Sequence, residues 1–146
     1  MNPSQRLARQ VAFIAEIDKL KHVQRQTILL DRSRRENDAE HSWHLAMMVL
    51  LLAEHSDQPI NSLRVLKMVL IHDLVEIDAG DTYAYDDDAH HDKAQREQAA
   101  ADRLFAMLPE DQALEFRTLW DEFEERATAD ARFAGAGDRM PPLLHN

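Results

Sequence analysis

Between Val69 and Ile77 the chain places apolar residues at Val69, Leu70, Ile71, Leu74, Val75 and Ile77, which cover most of a helix's circumference. A helix that is apolar nearly all round belongs at the centre of a bundle. The segment predicted to run from Asn61, a suitable N-cap, to near Gly80 is therefore the element the others must pack around. Set into it are His72, Asp73 and Glu76. At about 100° per residue, His72 and Glu76 lie about 40° apart and Asp73 and Glu76 about 60° apart, so all three share one arc of roughly 100°. Buried charge is costly unless it is paired or bound to a metal. Two readings follow. One is a histidine–carboxylate pair with a partly exposed glutamate. The other is a set of metal ligands with a proton-transfer group.

The rest of the chain supplies helices to surround that element. Leu7, Val11, Ile14, Ile17 and Leu20 follow three-and-four spacing and predict an amphipathic helix from Ser4 to about Leu20. The stretch HVQRQTILLDRSRREND breaks the pattern and reads as a loop or short turn. Further helices are expected from about Ala39 to His55, His90 to Leu108, Asp111 to Ala127, and from near Asp130 to before Pro141–Pro142. DTYAYDDDA between them reads as a polar loop. No strand-like alternation and no internal repeat stand out. The expectation is an all-α bundle of about six helices in a single domain spanning residues 1–146.

Composition excludes several functions. The 146 residues carry a formal charge of −10, which argues against a nucleic-acid polymer as partner, because a phosphate backbone needs a basic face. There is no cysteine, so disulfide and thiolate chemistry are excluded. The longest apolar run, Leu45 to Ala53, falls far short of the roughly 20 residues that span a membrane. The N-terminal MNPSQRLARQ lacks the apolar stretch of a signal peptide. A soluble, cytoplasmic protein with no membrane partner is expected.

Other residues can complete a metal site. ENDAEHSWHLAMM puts Glu40, His41 and His44 at the start of the second helix, with the two histidines sharing a face. Imidazole is the commonest ligand for divalent transition metals, and carboxylates complete mixed sites. Asp138 follows the small-residue segment Ala134, Gly135, Ala136, Gly137, which would allow close helix packing. It is either a hydrogen-bond acceptor in helix packing or a ligand. In YDDDAHHDK, a solvated acidic loop and a second metal held by His90 or His91 both stay open.

These residues, in this order, resemble the HD-domain superfamily of metal-dependent phosphohydrolases. The pattern of a histidine, then His-Asp, then a distant aspartate is matched by His41, His72–Asp73 and Asp138. RRENDAEHSWH, LIHDLVEIDAGDTYAYD, LFAMLPED, LWDEFEERATADARF and DRMPPLLHN read like the subgroup that contains the bacterial 5′-deoxynucleotidases and HD-domain-containing protein 2. The likeness covers roughly Leu20 to Asn146. It implies an HD-type helical bundle and one divalent metal ion (Mn, Co, Zn, Fe, Ni or Mg) held by His41, His72, Asp73 and Asp138. It makes Glu76 the acid/base and gives Asp81 a contact to the sugar or the attacking water. The implied reaction is hydrolysis of the 5′-phosphomonoester of a (deoxy)nucleoside monophosphate, by a homodimer. The deoxynucleotidases carry an Arg-Trp pair ahead of the first histidine. Here Arg25 takes the arginine's place as a substrate contact, with Gln26 and Thr27 where tryptophan would stand. Arg35 is a second candidate phosphate contact or a solvated arginine. The family continues past the LLHN segment, so the chain is read as a short member or a fragment. The rival function is a catalytically silent HD module binding a nucleotide or a protein partner. A third reading is an all-α dimerisation domain with a buried ion-pair network.

Overall fold

A computed structural model describes the backbone over residues 1–80 and 87–138, and side chains over 1–80 and 92–137. Its elements are α1 (Pro3–Ile17, continued by a 3₁₀ turn at Asp18–His22), β1 (Gln24–Ile28), β2 (Arg35–Asn37) and α2 (Asp38–Leu52). They are followed by α3 (Ser62–Ile71), α4 (Glu76–Ala79), α5 (Asp87–Phe105), α6 (Glu110–Glu125) and α7 (Ala129–Asp138). The helical bundle is as expected, with six longer helices and the one-turn α4 among the described residues. α3 is the central element and packs against α2, α6 and α7, while α5 lies on α4 and α6. Its Val65, Met68 and Val69 are wholly buried, and Leu45, Leu104, Leu119 and Trp120 close around them.

Three features differ from the sequence reading. The stretch read as a loop contains an antiparallel pair, β1 with β2, in an irregular register between Gln24 and Ile28. Its strands were hidden because the inward positions are polar: Arg25 and Thr27 point in from β1, and Glu36 is buried on β2. The helix read as continuous to Gly80 is also interrupted. His72 still donates its N–H to Met68, four residues back. The next bonds run three residues back, from Leu74 to Ile71, Glu76 to Asp73 and Ile77 to Leu74. This 3₁₀ tightening winds His72–Glu76 more steeply than the α-helical spacing assumed, and such a stretch often marks a functional point in a helix.

The third difference is in burial. The apolar stripe of α1 forms the expected helix, yet Leu7, Val11 and Ile14 are exposed, and so is Trp43 of α2. With Leu70 of α3, which is 49% exposed, they line an apolar groove of about 850 Å³ between α1, α2 and α3.

Candidate metal centre

The first histidine is set by the start of α2. Asn37 caps this helix: its side chain accepts the Glu40 N–H and the Glu40 carboxylate accepts the Asn37 N–H, both at 2.9 Å. The cap fixes Glu36 just before the helix and His41 at its fourth position. In many helices an apolar pair at these two positions packs as a staple. Here the pair is polar and buried, with His41 Nδ1 3.1 Å from Glu36 Oε1. The fixed Nδ1 turns Nε2 away from Glu36. The second histidine caps α3. His72 Nδ1 donates to the Val69 carbonyl at 2.6 Å, which places the proton on Nδ1 and points Nε2 at Asp73 Oδ1, 3.3 Å away. One ligand atom from each of His41, His72 and Asp73 lies within 4.8 Å of the others, and all three residues are buried.

Glu76 opens α4 one turn further on and is 8% exposed. Its Oε2 and Asp73 Oδ2 are buried and make no hydrogen bond among the described residues. Arg25 reaches in from β1, with Nε 3.4 Å from Glu36, Nη1 3.7 Å from Asp38 and Nη1 3.6 Å from Asp73. Three buried carboxyl groups, Glu36, Asp38 and Asp73, thus gather around the Arg25 guanidinium, with buried Glu76 one turn beyond Asp73. Two correctly turned imidazoles, an acid excess and carboxylate oxygens without hydrogen bonds fit a divalent cation.

Burial, and next the charge on Asp73, push the Glu76 carboxyl up to about 9 from an ordinary 4.5. This shift makes a prediction for protein held free of metal by a chelator. A carboxyl whose folded value lies above its unfolded value contributes stability that is whole below the unfolded pKa and is lost as pH rises to the folded one. The metal-free protein should lose stability between about pH 4.5 and about pH 9. Glu76→Gln should flatten that loss in denaturant titrations at the two ends of the window. An unchanged slope in the variant would assign the loss to other groups.

The remaining sequence candidates fall in different places. Arg35 is exposed on β2, and its side chain makes no described contact with the cluster. His44 stacks on Trp43 at 5.9 Å and is not among the clustered ligands. Asp81 lies outside the described residues, and the side chains of Asp138, His90 and His91 lie outside the described side chains. Glu36 and Asp38 were not singled out from the sequence. The Asn37–Glu40 capping pair was the signal for Glu36, because it puts residues 36 and 41 at the two staple positions.

Comparison with known proteins gives consistent results. A family model described as HD domain matches residues 17–146. The 5′-deoxynucleotidase HDDC2 of Xenopus laevis is 30% identical over 133 residues, 90% of this chain and 65% of that protein. The chain therefore spans 65% of the length of that curated relative. The crystal structure of a predicted metal-dependent phosphohydrolase from Magnetospirillum magnetotacticum superposes with a TM-score of 0.92 at 59% identity, covering 99% of this chain and 72% of that one. An HD-domain phosphohydrolase from Listeria innocua, with a TM-score of 0.74 at 15% identity and 93% of this chain covered, shares the fold.

Proposed function

Because this chain belongs to the HD domain family, we propose that it is a metal-dependent phosphohydrolase that cleaves the 5′-phosphomonoester of (deoxy)nucleoside monophosphates. The observation that carries the proposal is the buried cluster of His41, His72 and Asp73 with Glu76 beside it. His41, His72 and Asp73 would hold one divalent ion, with Asp138 as the fourth ligand that the resemblance implies. Two imidazoles in the set favour a transition-metal ion over Mg. When bound, the ion supplies Lewis acidity, lowering the pKa of a water and offsetting phosphate charge. Glu76 is the proton carrier. Its carboxylate takes a proton from the attacking water as the new O–P bond forms. It then gives the proton to the sugar O5′ as the P–O5′ bond breaks. Beside a cation the Glu76 carboxyl falls back from the value that burial gives it, so the accepting form is available. Arg25 is the proposed phosphate contact in β1, with Arg35 as the second candidate. Asp81 is the proposed contact to sugar or water.

The same proposal treats residues 1–146 as one HD domain in a cytoplasmic homodimer. No helix among the described residues is long and apolar enough to cross a membrane. A chain without cysteine has no disulfide to lose in a reducing compartment. The exposed stripe of Leu7, Val11 and Ile14 supports self-association, and sedimentation velocity reads it directly. The activity is tested by phosphate release from a panel of deoxyribo- and ribonucleoside 5′-monophosphates and their 3′ isomers. Release from 5′-monophosphates alone is expected. Equal release from the 3′ isomers would point to a non-specific phosphatase.

A further inference from the structure

Arg126 ends α6 in a backbone conformation that disfavours any residue with a side chain. Its φ of 56° and ψ of 31° are left-handed, at a helix end where glycine is usual. Strain of this kind persists where the surroundings enforce it, and it clusters at ligand-binding sites. The side chain then folds back onto the protein. Its guanidinium carbon lies 4.9 Å over the ring of Phe123, and that ring is 4.6 Å from the ring of His72. On its other side the guanidinium fills a notch in α7. A Cβ at Gly135 would come within 2.6 Å of both Cζ and Nε of Arg126. The small residue serves a side chain here, where the sequence reading expected it to admit a helix. Gly135 lies three residues before Asp138, one helical turn along α7.

Packing alone does not account for this arrangement. An apolar side chain would fill the space between Phe123 and Gly135 without bringing in charge. Among the described residues, buried Arg126 Nε has no hydrogen-bond partner and the guanidinium makes no ion pair. Among the described residues no ion pair joins it to the adjacent glutamates of α6, and Glu124 feels its charge only as a lesser attraction, although ion pairs are common elsewhere on the surface. In a chain of formal charge −10, a cation beside the candidate metal cluster with no ion pair among the described residues is what an anionic substrate requires. A guanidinium matches phosphate oxygens with two parallel N–H donors.

We infer that Arg126 is an anion-binding residue of this site, held over Phe123 and against Gly135 so that its N–H groups receive a phosphate oxygen of the substrate. The inference rests on the reading of the substrate as a phosphomonoester.

Calorimetric titration of inorganic phosphate into metal-loaded protein tests it, together with kcat and KM for a deoxynucleoside 5′-monophosphate. Arg126→Met keeps the packing over Phe123 and removes the charge. Gly135→Ala keeps the charge and displaces the guanidinium. Each variant is expected to weaken phosphate binding by about tenfold or more and to raise KM similarly, with metal content unchanged. If Arg126→Met fails to fold, Gly135→Ala decides. Equal phosphate affinity in all three proteins, a lowered melting temperature with unaltered affinity, or no phosphate binding by any of them overturns the inference. Phosphate binding that both variants lose, in a protein that hydrolyses no nucleotide, supports Arg126 and defeats the proposed activity. Hydrolysis with unchanged affinity and KM in the variants does the reverse.

Discussion

Glu76→Gln is expected to lower kcat for phosphate release by roughly 10²–10⁴-fold, the usual worth of a positioned general acid–base group, while metal content stays at the wild-type level. The separation of the two readouts follows from where Glu76 sits. It opens α4 beside the cluster, but it is not one of the three residues whose ligand atoms converge. Its Oε2 is buried with no hydrogen-bond partner among the described residues, so it is placed to exchange a proton with something that enters the site. Glutamine keeps the shape and removes the proton acceptor. Loss of metal in the variant would make Glu76 a ligand. Retained turnover would move the proton transfer to another group. The substitution also separates an enzyme from a silent binding module, since a silent module has no turnover to lose.

Asp73→Asn should have the largest effect on the metal itself. Replacing an outer partner of a ligand typically costs 10–100-fold in metal affinity or activity, so removing the charge of a ligand should exceed about 100-fold. Asp73 is the carboxylate of the converging set, and its charge faces His72 Nε2 at 3.3 Å and Arg25 Nη1 at 3.6 Å. Competition against a chelating dye gives the dissociation constant, and turnover should vanish with occupancy. Glu36→Gln, which alters the group orienting His41 and one ion partner of Arg25, should fall within the 10–100-fold range. Wild-type metal affinity in Asp73→Asn would show that Asp73 is not a ligand, and no metal binding by either protein would show that the cluster is an ion-pair network.

His72, Asp73 and Glu76 stood out because a histidine and two acids in an otherwise apolar helix have few inexpensive explanations, whereas His41 became a ligand candidate through the family resemblance. The bundle was readable from three-and-four spacing in α1 and from the nearly all-round apolar surface of the segment around α3. The β1–β2 pair was not, because hydropathy detects strands through an apolar inward face. Here the inward residues include Arg25 and Glu36, which face the buried His41–Asp73 cluster and not the apolar core. The same pairing explains why Glu36 escaped notice: its partner His41 is a neighbour only once the Asn37 cap has turned the chain into α2. The 3₁₀ tightening after His72 has no marker such as glycine or proline between residues 72 and 79. It still leaves the three charged residues buried, although the angles between them change. Burial of α1 was the remaining blind spot. Spacing predicts that a stripe is apolar, but not whether the chain itself covers it, and Leu7, Val11 and Ile14 stay exposed.

Phosphate release from one deoxynucleoside 5′-monophosphate tests the central claim most directly. A single preparation would be assayed as isolated, after chelation and after metal is restored, with elemental analysis at each step. The account predicts that release disappears with the metal and returns in proportion to occupancy, saturating at one ion per chain. Release undiminished in metal-free protein, or none from any nucleotide at full occupancy, would contradict it.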